Sequence, residues 1–193
     1  MTHTQKLVLG AGLLLALTGG LAAGALLLAG SSSAPVPAGA PRLSAAVKHQ
    51  LSALPALRGA ELRGGSLEGK VVAITFFASW CGPCRVELAH LNKIYARSRE
   101  RGLEILAINL FEEFDGLSND KRLAEFLRVT APDFPVLKGD GAISATFGEI
   151  RRIPTLLVYD RAGRQAYRFV NEVGGRIMTA DPGELDAVIA GLL

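Results

Sequence analysis

The sequence is poor in the residues from which disulfide scaffolds and metal sites are built. Its 193 residues include two cysteines, three histidines and two methionines. Two cysteines cannot form the several pairs of a disulfide scaffold. A structural zinc site takes four ligands, and only His3, His49 and His90 accompany the cysteines, which argues against zinc. The lack of any Met-rich or His-rich segment also argues against a dedicated copper-binding tract.

An excess of charge of one sign is also missing from most of the chain. After residue 30 there are 20 lysines and arginines against 18 acidic residues, a surplus of two positive charges. Nucleic-acid-binding domains carry a much stronger basic balance. The composition therefore predicts no nucleic-acid partner.

No charged residue occurs between Lys6 and Arg42, and residues 7–30 form an almost continuous apolar run. As a helix this run measures about 36 Å, against about 30 Å for a bilayer core, which predicts a single transmembrane anchor. A cleaved signal peptide is the main alternative, with residues 38–40 as a cleavage site that Pro41 disfavours. A buried helix of a soluble protein is the third interpretation.

Lys6 and the terminal amine favour a cytoplasmic tail at residues 1–6, although Arg42 and Lys48 put positive charge on the far side too. The remaining chain then lies outside the cytoplasmic membrane, in the periplasm, away from cytosolic glutathione and thioredoxin. We interpret residues 31–54 as a linker and residues 55–193 as one domain with a sizeable core.

Both cysteines lie in one motif, Trp80-Cys81-Gly82-Pro83-Cys84, between an apolar strand pattern and a helical pattern. Backbone N–H groups and the helix dipole at such a junction stabilise a thiolate, the reactive form of cysteine. Closing so short a loop adds little stability, so reactivity explains the pair better. We expect a partly exposed Cys81 to attack and a more buried Cys84 to resolve, with Gly82 and Pro83 keeping the turn tight and rigid.

Hydrophobic periodicity predicts the order β-α-β-α-β-β-α, a mixed sheet covered by helices. The main strands are predicted at residues 71–77, 104–110, 155–159 and 164–170, and the main helices at 85–101, 119–129 and 181–192. Shorter pieces are a weak helix at 43–54, an edge strand near 60–62, an extended segment at 134–137 and a helix at 142–147.

Residues 67–72, 77–88 and 153–163, with a helical insert at 111–139, resemble membrane-anchored thioredoxin-like proteins of the TlpA/ResA/DsbE type. The resemblance implies an α/β thioredoxin-like fold, a redox-active disulfide between Cys81 and Cys84, and no cofactor. It also implies a cis peptide before Pro154, next to the cysteines, with the backbone of Ile153 available to pair with an extended target segment.

The candidate site follows from the motif and the resemblance. The catalytic residues are Cys81, Cys84, Glu87 and Pro154, and the substrate-binding residues are Trp80, Gly82, Pro83, Ile153 and Thr155. In the resembled family a glutamate at the position of Glu87 lies near the cysteines and tunes their pKa. The alternative is a solvated helix glutamate paired with Arg85 or His90.

Other charged residues near these motifs have plainer interpretations. His90 is expected on a mainly solvated helix face, and Glu112 and Glu113 form a charged loop unless they contact a partner. Arg151 and Arg152 either meet an acidic partner surface or are solvated.

Three positions depart from the patterns of related proteins. Thr75 stands where thioredoxins carry a buried aspartate, which proteins of the TlpA type also usually lack, and Ala89 stands where a helix-kinking proline is common. The pair Gly82-Pro83 is that of thioredoxin, whereas relatives often carry another residue before the proline.

The resemblance implies a thiol–disulfide oxidoreductase that receives electrons from a membrane thiol transporter and reduces disulfide-bearing targets. Family targets include the haem-site thiols of apocytochrome c and the copper-site cysteines of cytochrome oxidase. The alternatives are a disulfide-forming oxidase and a Cu(I)-binding chaperone that uses the same cysteines. Potentials span about −270 mV for thioredoxin to about −120 mV for a strong oxidant, and Gly82-Pro83 favours the reducing end.

Overall fold

A computed structural model describes residues 35–63, 65–113, 120–172 and 174–193. The strands are β1 (Ala56–Arg58), β2 (Val71–Phe77), β3 (Leu103–Asn109), β4 (Val136–Lys138), β5 (Thr155–Tyr159) and β6 (Gln165–Val170). The helices are α1 (Ala45–Ser52), α2 (Gly82–Ser98), α3 (Asp120–Thr130), α4 (Gly141–Thr146) and α5 (Pro182–Leu192). The predicted main strands and helices are present, with ends that differ by a few residues.

The strands form one mixed sheet in the order β1-β4-β3-β2-β5-β6. Strand β2 runs parallel to β3 and antiparallel to β5, and β3 runs parallel to β4. The edge pairs β1–β4 and β5–β6 are antiparallel. Every residue of β2 and β3 is buried, because helices cover both faces of the sheet. The predicted mixed sheet is confirmed.

Neighbouring residues of β2 show which helices cover which face, because successive side chains of a strand point to opposite sides. Phe77 stacks on Phe126 of α3, with ring centroids 5.4 Å apart, and Thr75 on the same face bonds Glu87 of α2. Phe76 points the other way and meets Phe147, at the end of α4, with a centroid distance of 5.5 Å.

The predicted edge strand near residues 60–62 is wrong. The edge strand is β1, in which Ala56 lies opposite Leu137 of β4. Gly59 follows β1 with φ +82°, a left-handed conformation that suits glycine and turns the chain away from the sheet. Leu62 is then buried in the core instead of lying along the sheet edge.

Helix α1 lies inside the segment interpreted from sequence as a linker. Its first turn is capped by Ser44, whose Oγ accepts a hydrogen bond from Val47 N at 3.3 Å. Leu43 and Leu51 are buried in the core, and the Leu43 N–H donates to the Gly163 carbonyl at 2.9 Å. This part of the predicted linker therefore packs on the domain.

The predicted cytoplasmic tail and membrane anchor, residues 1–6 and 7–30, lie outside the described residues. Within the described ranges no helix combines the length and the apolar character needed to cross a bilayer. The helix of the predicted insert at residues 111–139 is α3, and residues 114–119 of that insert are also outside the described ranges.

Candidate active site

The two cysteines occupy the start of α2. Cys81 is the N-cap residue, and its Sγ accepts a hydrogen bond from Cys84 N at 3.2 Å. The two sulfurs are joined in a disulfide. Cys84 is 1% exposed and Cys81 5%, so Cys84 is the more buried of the two, but Cys81 is less exposed than the sequence predicts. In the turn that leads into the helix, the Cys81 N–H donates to the Ala78 carbonyl at 3.1 Å.

Gly82 and Pro83 are the first two residues of α2. Pro83 fits there because the N–H groups of a first helical turn have no partner within the helix. The conformation at Gly82 does not itself require glycine. Its φ is not left-handed, and beyond its chain neighbours and its own helix backbone a Cβ at Gly82 would meet no atom within 4 Å.

The peptide bond between Ile153 and Pro154 is cis, as the resemblance implies. Pro154 directly precedes β5, whose first residue, Thr155, lies opposite Phe76 near the end of β2. This register brings Pro154 to the end of the sheet where the chain continues from β2 into the cysteine motif. Thr155 is buried and its hydroxyl donates to the Arg152 carbonyl at 2.8 Å, so its side chain holds the loop before β5.

A surface groove of about 310 Å³ lies beside the motif. Trp80 and Ile153 line it together with Phe111 and Met178. Trp80 and Phe111 are 38% and 39% exposed, and the indole Nε1 of Trp80 donates to the Phe111 carbonyl at 2.7 Å. The groove thus brings together two of the residues predicted to bind substrate, Trp80 and Ile153.

The two arginines before Ile153 face carboxylates of their own chain. Arg151 is strongly exposed, with its Nη2 3.9 Å from a Glu149 oxygen, and Arg152 Nη1 lies 3.3 Å from Glu172 Oε2. Both arginines line the groove. Their positive charge is partly balanced by neighbouring glutamates of the same chain, and contact with an acidic partner surface stays a prediction.

Glu87 is a buried carboxyl group. Its Oε1 accepts a hydrogen bond from the Thr75 hydroxyl at 2.6 Å. Burial raises the pKa of Glu87 to about 7, against the opposing effects of the Thr75 hydrogen bond and the Ala180 backbone amide. Its Oε2 makes no hydrogen bond of standard geometry within the described part of the chain.

The alternative for Glu87, a solvated glutamate paired with Arg85 or His90, is wrong. The guanidinium of Arg85 lies over the Phe126 ring, 5.5 Å from its centroid, and His90 Nε2 lies 3.4 Å from a carboxylate oxygen of Asp186. Glu87 instead turns inward to the sheet. Its pairing with Thr75 could not be predicted from sequence, because the two residues lie on different elements.

The structure shows a role for Thr75 that could not be predicted from sequence, as the hydrogen-bond donor to Glu87. Thr75 stands where thioredoxins carry an acid on the strand, and here a carboxyl group reaches the same point of the sheet from α2. A buried carboxyl group is therefore present between α2 and the sheet, but it belongs to Glu87 of the helix and not to a residue of the strand.

Glu112, interpreted from sequence as part of a charged loop, is bound inside the protein. Its carboxylate accepts hydrogen bonds from Ser79 N and Ser79 Oγ, both at 2.6 Å, and from Asn109 Nδ2 at 2.7 Å. Arg122 of α3 donates to Ser79 Oγ at 3.0 Å. We call Glu112, Ser79, Asn109 and Arg122 the loop clamp, because together they hold the segment before Trp80.

The order and direction of the strands explain why the residues of the loop clamp lie close together. Strands β2 and β3 are parallel, so Ser79 and Glu112, which follow them, emerge at the same end of the sheet. Glu112 therefore lies within reach of the loop that follows β2.

The sheet, the cysteine pair at the start of α2 and the cis-proline before β5 define a thioredoxin-like α/β protein. The profile of the AhpC/TSA family matches residues 45–168, and the chain belongs to this family.

The chain is also similar to individual relatives and to solved structures. The chain is 29% identical over 117 residues to the thiol-disulfide oxidoreductase ResA of Bacillus thuringiensis (strain Al Hakam), which covers 60% of this chain and 64% of that protein. A crystal structure described as a thiol:disulfide interchange protein DsbE from Chlorobium tepidum matches with TM-score 0.58 and 27% identity, over 72% of this chain and 90% of that one. A secreted Mycobacterium tuberculosis disulfide oxidoreductase shares the fold, with TM-score 0.56 and 22% identity over 72% and 94% of the two chains.

The match spans less than two thirds of the length of the ResA relative. The resemblance to the ResA and DsbE type, inferred from the sequence motifs, is confirmed.

Proposed function

We propose that the protein is a membrane-anchored thiol–disulfide oxidoreductase that reduces disulfides of target proteins on the outer side of the cytoplasmic membrane. The observation that carries this proposal is the position of Cys81, whose sulfur accepts the Cys84 N–H at the start of α2. In the reduced protein the same N–H group and the helix dipole would stabilise a thiolate at Cys81, the form that attacks disulfides.

The reaction proceeds by two thiol–disulfide exchanges. The Cys81 thiolate attacks one sulfur of a target disulfide, the target S–S bond breaks, and the released target thiolate takes up a proton. Cys84 then loses its proton and attacks Cys81, which forms the Cys81–Cys84 disulfide and releases the second target thiolate. Two electrons pass to the target, and a dithiol donor must return two electrons to the protein after each cycle.

Glu87 and the groove support this chemistry. A carboxyl group with a pKa of about 7, one helical turn beyond Cys84, is suited to exchange a proton near neutral pH. The groove between Trp80 and Ile153 provides a surface for the target segment. The donor we propose is a membrane thiol transporter, and the targets are apocytochrome c thiols or copper-site cysteines, as the resemblance implies.

Trapping of mixed disulfides tests the roles of the two cysteines. In Cys84→Ser the second exchange is blocked, so we expect covalent complexes with targets to accumulate on non-reducing gels. Cys81→Ser is the matched control, and it should trap few complexes because Cys84 is buried. Equal trapping by both variants would contradict the assignment of Cys81 as nucleophile.

The direction of electron flow is tested by the reduction potential. Equilibration with glutathione should place the couple nearer to about −270 mV than to about −120 mV. A potential at the oxidising end would favour the disulfide-forming alternative. Titration of the reduced protein with Cu(I) tests the chaperone alternative, which requires tight binding that competes with oxidation.

The anchor is tested on the full chain and on a variant that lacks residues 7–30. We expect the full chain to resist alkaline extraction from membranes and its domain to be cleaved by protease added from the periplasmic side. Release of the full chain by alkali would contradict the anchor without affecting the proposed chemistry.

A further inference from the structure

In the loop before β5, the three consecutive carbonyl groups of residues 152–154 accept hydrogen bonds from the protein itself. The Arg152 carbonyl accepts from the Thr155 hydroxyl at 2.8 Å. The Ile153 carbonyl accepts from Asn171 Nδ2 at 3.0 Å, and the Pro154 carbonyl accepts from the Asn171 backbone N–H at 3.1 Å. Asn171 therefore bonds two consecutive carbonyls on this edge.

The backbone N–H groups of the same loop, unlike its carbonyls, are not all paired within the described ranges. The Ile153 N–H makes no hydrogen bond to any residue in the described ranges, and proline has no N–H at position 154. Ile153 and Asn171 both line the groove beside Trp80. At Ile153 the backbone donor thus has no partner within the described ranges, while the carbonyl of the same residue already accepts one hydrogen bond.

An extended segment that adds to a strand edge normally pairs through both its C=O and its N–H. At Ile153 the C=O of a docked segment can accept from the vacant N–H. Its N–H, however, must share the Ile153 carbonyl with the Asn171 amide, which already uses one of the two lone pairs of that oxygen.

We propose that Asn171 is a specificity-determining residue, whose side-chain amide competes with a target N–H for the Ile153 carbonyl. This inference rests on the proposed function. Asn171 weakens the docking of ordinary extended segments, and it does not penalise targets whose backbone lacks an N–H at that point, such as a segment with proline there. Small disulfides without a peptide backbone are unaffected.

The test compares the parent protein with Asn171→Ala in the reduction of three disulfides. These are an extended cystine peptide, the same peptide methylated on the backbone nitrogens that flank its cysteine, and the small aromatic disulfide DTNB. Removing the amide frees the Ile153 carbonyl for one more neutral hydrogen bond, so KM for the unmodified peptide should fall about fivefold. KM for the methylated peptide, and the rate with DTNB, should stay the same.

Asn92→Ala is the matched control, because Asn92 also bonds backbone carbonyls, those of Thr130 and Ala131, but not in the groove. Asn171→Ser, whose side chain is shorter, should repeat the effect of Asn171→Ala if that variant folds poorly. A peptide KM that stays constant or rises, or an equal change with all three disulfides, would overturn the proposal. Parent protein that reduces none of the three would instead refute the proposed function.

Discussion

At the scale of single residues, Glu87 links the stability of the protein to pH. The pKa of its carboxyl group rises from 4.5 to about 7 on folding, because burial disfavours the charged form. Between these two values the folded protein holds a proton that the unfolded chain has lost. Stability due to this group is therefore complete below pH 4.5 and declines as pH rises toward 7, by about 3 kcal/mol at about 1.36 kcal/mol per pH unit.

Glu87→Gln should remove this decline, because glutamine stays neutral at every pH. We expect the free energy of unfolding of the oxidised variant to exceed that of the parent by up to about 3 kcal/mol at pH 8, with a smaller difference at pH 5. Denaturant unfolding at pH 5, 6, 7 and 8 measures it. Glu68→Gln, which changes an exposed glutamate, is the control. Parallel curves for parent and Glu87→Gln would show that the carboxyl group does not titrate in this range.

Two glycines should respond in opposite ways to the same substitution. Gly82→Ala places its methyl group in open space, so we expect unchanged or slightly higher stability, by about 0.5 kcal/mol. Gly139→Ala places it 2.6 Å from a methyl carbon of Ile108 and 2.7 Å from one of Leu110, which should cost about 1–3 kcal/mol. Thermal unfolding of both variants measures the difference, and similar melting temperatures would contradict it.

At the scale of elements, the loop clamp joins the chain after β3 to the segment that leads into α2. Glu112→Ala leaves the Ser79 N–H without its acceptor and the Asn109 amide with only its longer bond to the Phe77 carbonyl, so we expect a loss of about 1.5–3 kcal/mol. We also expect faster hydrogen exchange in residues 78–82 than in the parent. Glu112→Gln keeps an acceptor oxygen and should lose less. Unchanged exchange in residues 78–82 would show that the clamp does not hold this segment.

The elements that the sequence predicts well are those that carry their signal locally. Continuous apolar runs identify β2 and β3, and Asp181 identifies the start of α5, where its side chain accepts from Glu184 N at 2.8 Å. Strand β1 is missed because three residues become a strand only through pairing with β4, about 80 positions away along the chain.

The residues of the candidate site divide in the same way, into those with a local sequence signal and those that depend on distant contacts. The sequence identifies Cys81 and Cys84 because both lie in one short motif. Glu87 is predicted by resemblance, but its partner Thr75 depends on how α2 packs on the sheet. Glu112 and Asn171 are missed, since a polar residue after a strand has no local feature that separates an internal bond from a solvated side chain.

At the scale of the whole molecule, the extent of the folded unit is set by α1. A chain of residues 36–193 keeps the buried Leu43 and Leu51, whereas a chain of residues 55–193 loses both. We expect the shorter chain to be less stable by several kcal/mol, at about 1.5–3 kcal/mol per buried leucine. Denaturant unfolding of the two chains measures this, and equal midpoints would show that α1 contributes nothing to the fold.

The position of Trp80 also has a practical consequence for the whole molecule. It is the single tryptophan of the chain, it directly precedes Cys81, and its indole nitrogen is bonded to Phe111. Intrinsic emission excited at the indole band therefore comes from one place, beside the sulfur whose bonding changes in each cycle. Stopped-flow fluorimetry can then time oxidation and reduction of the unlabelled protein, without an added dye or a coupled assay.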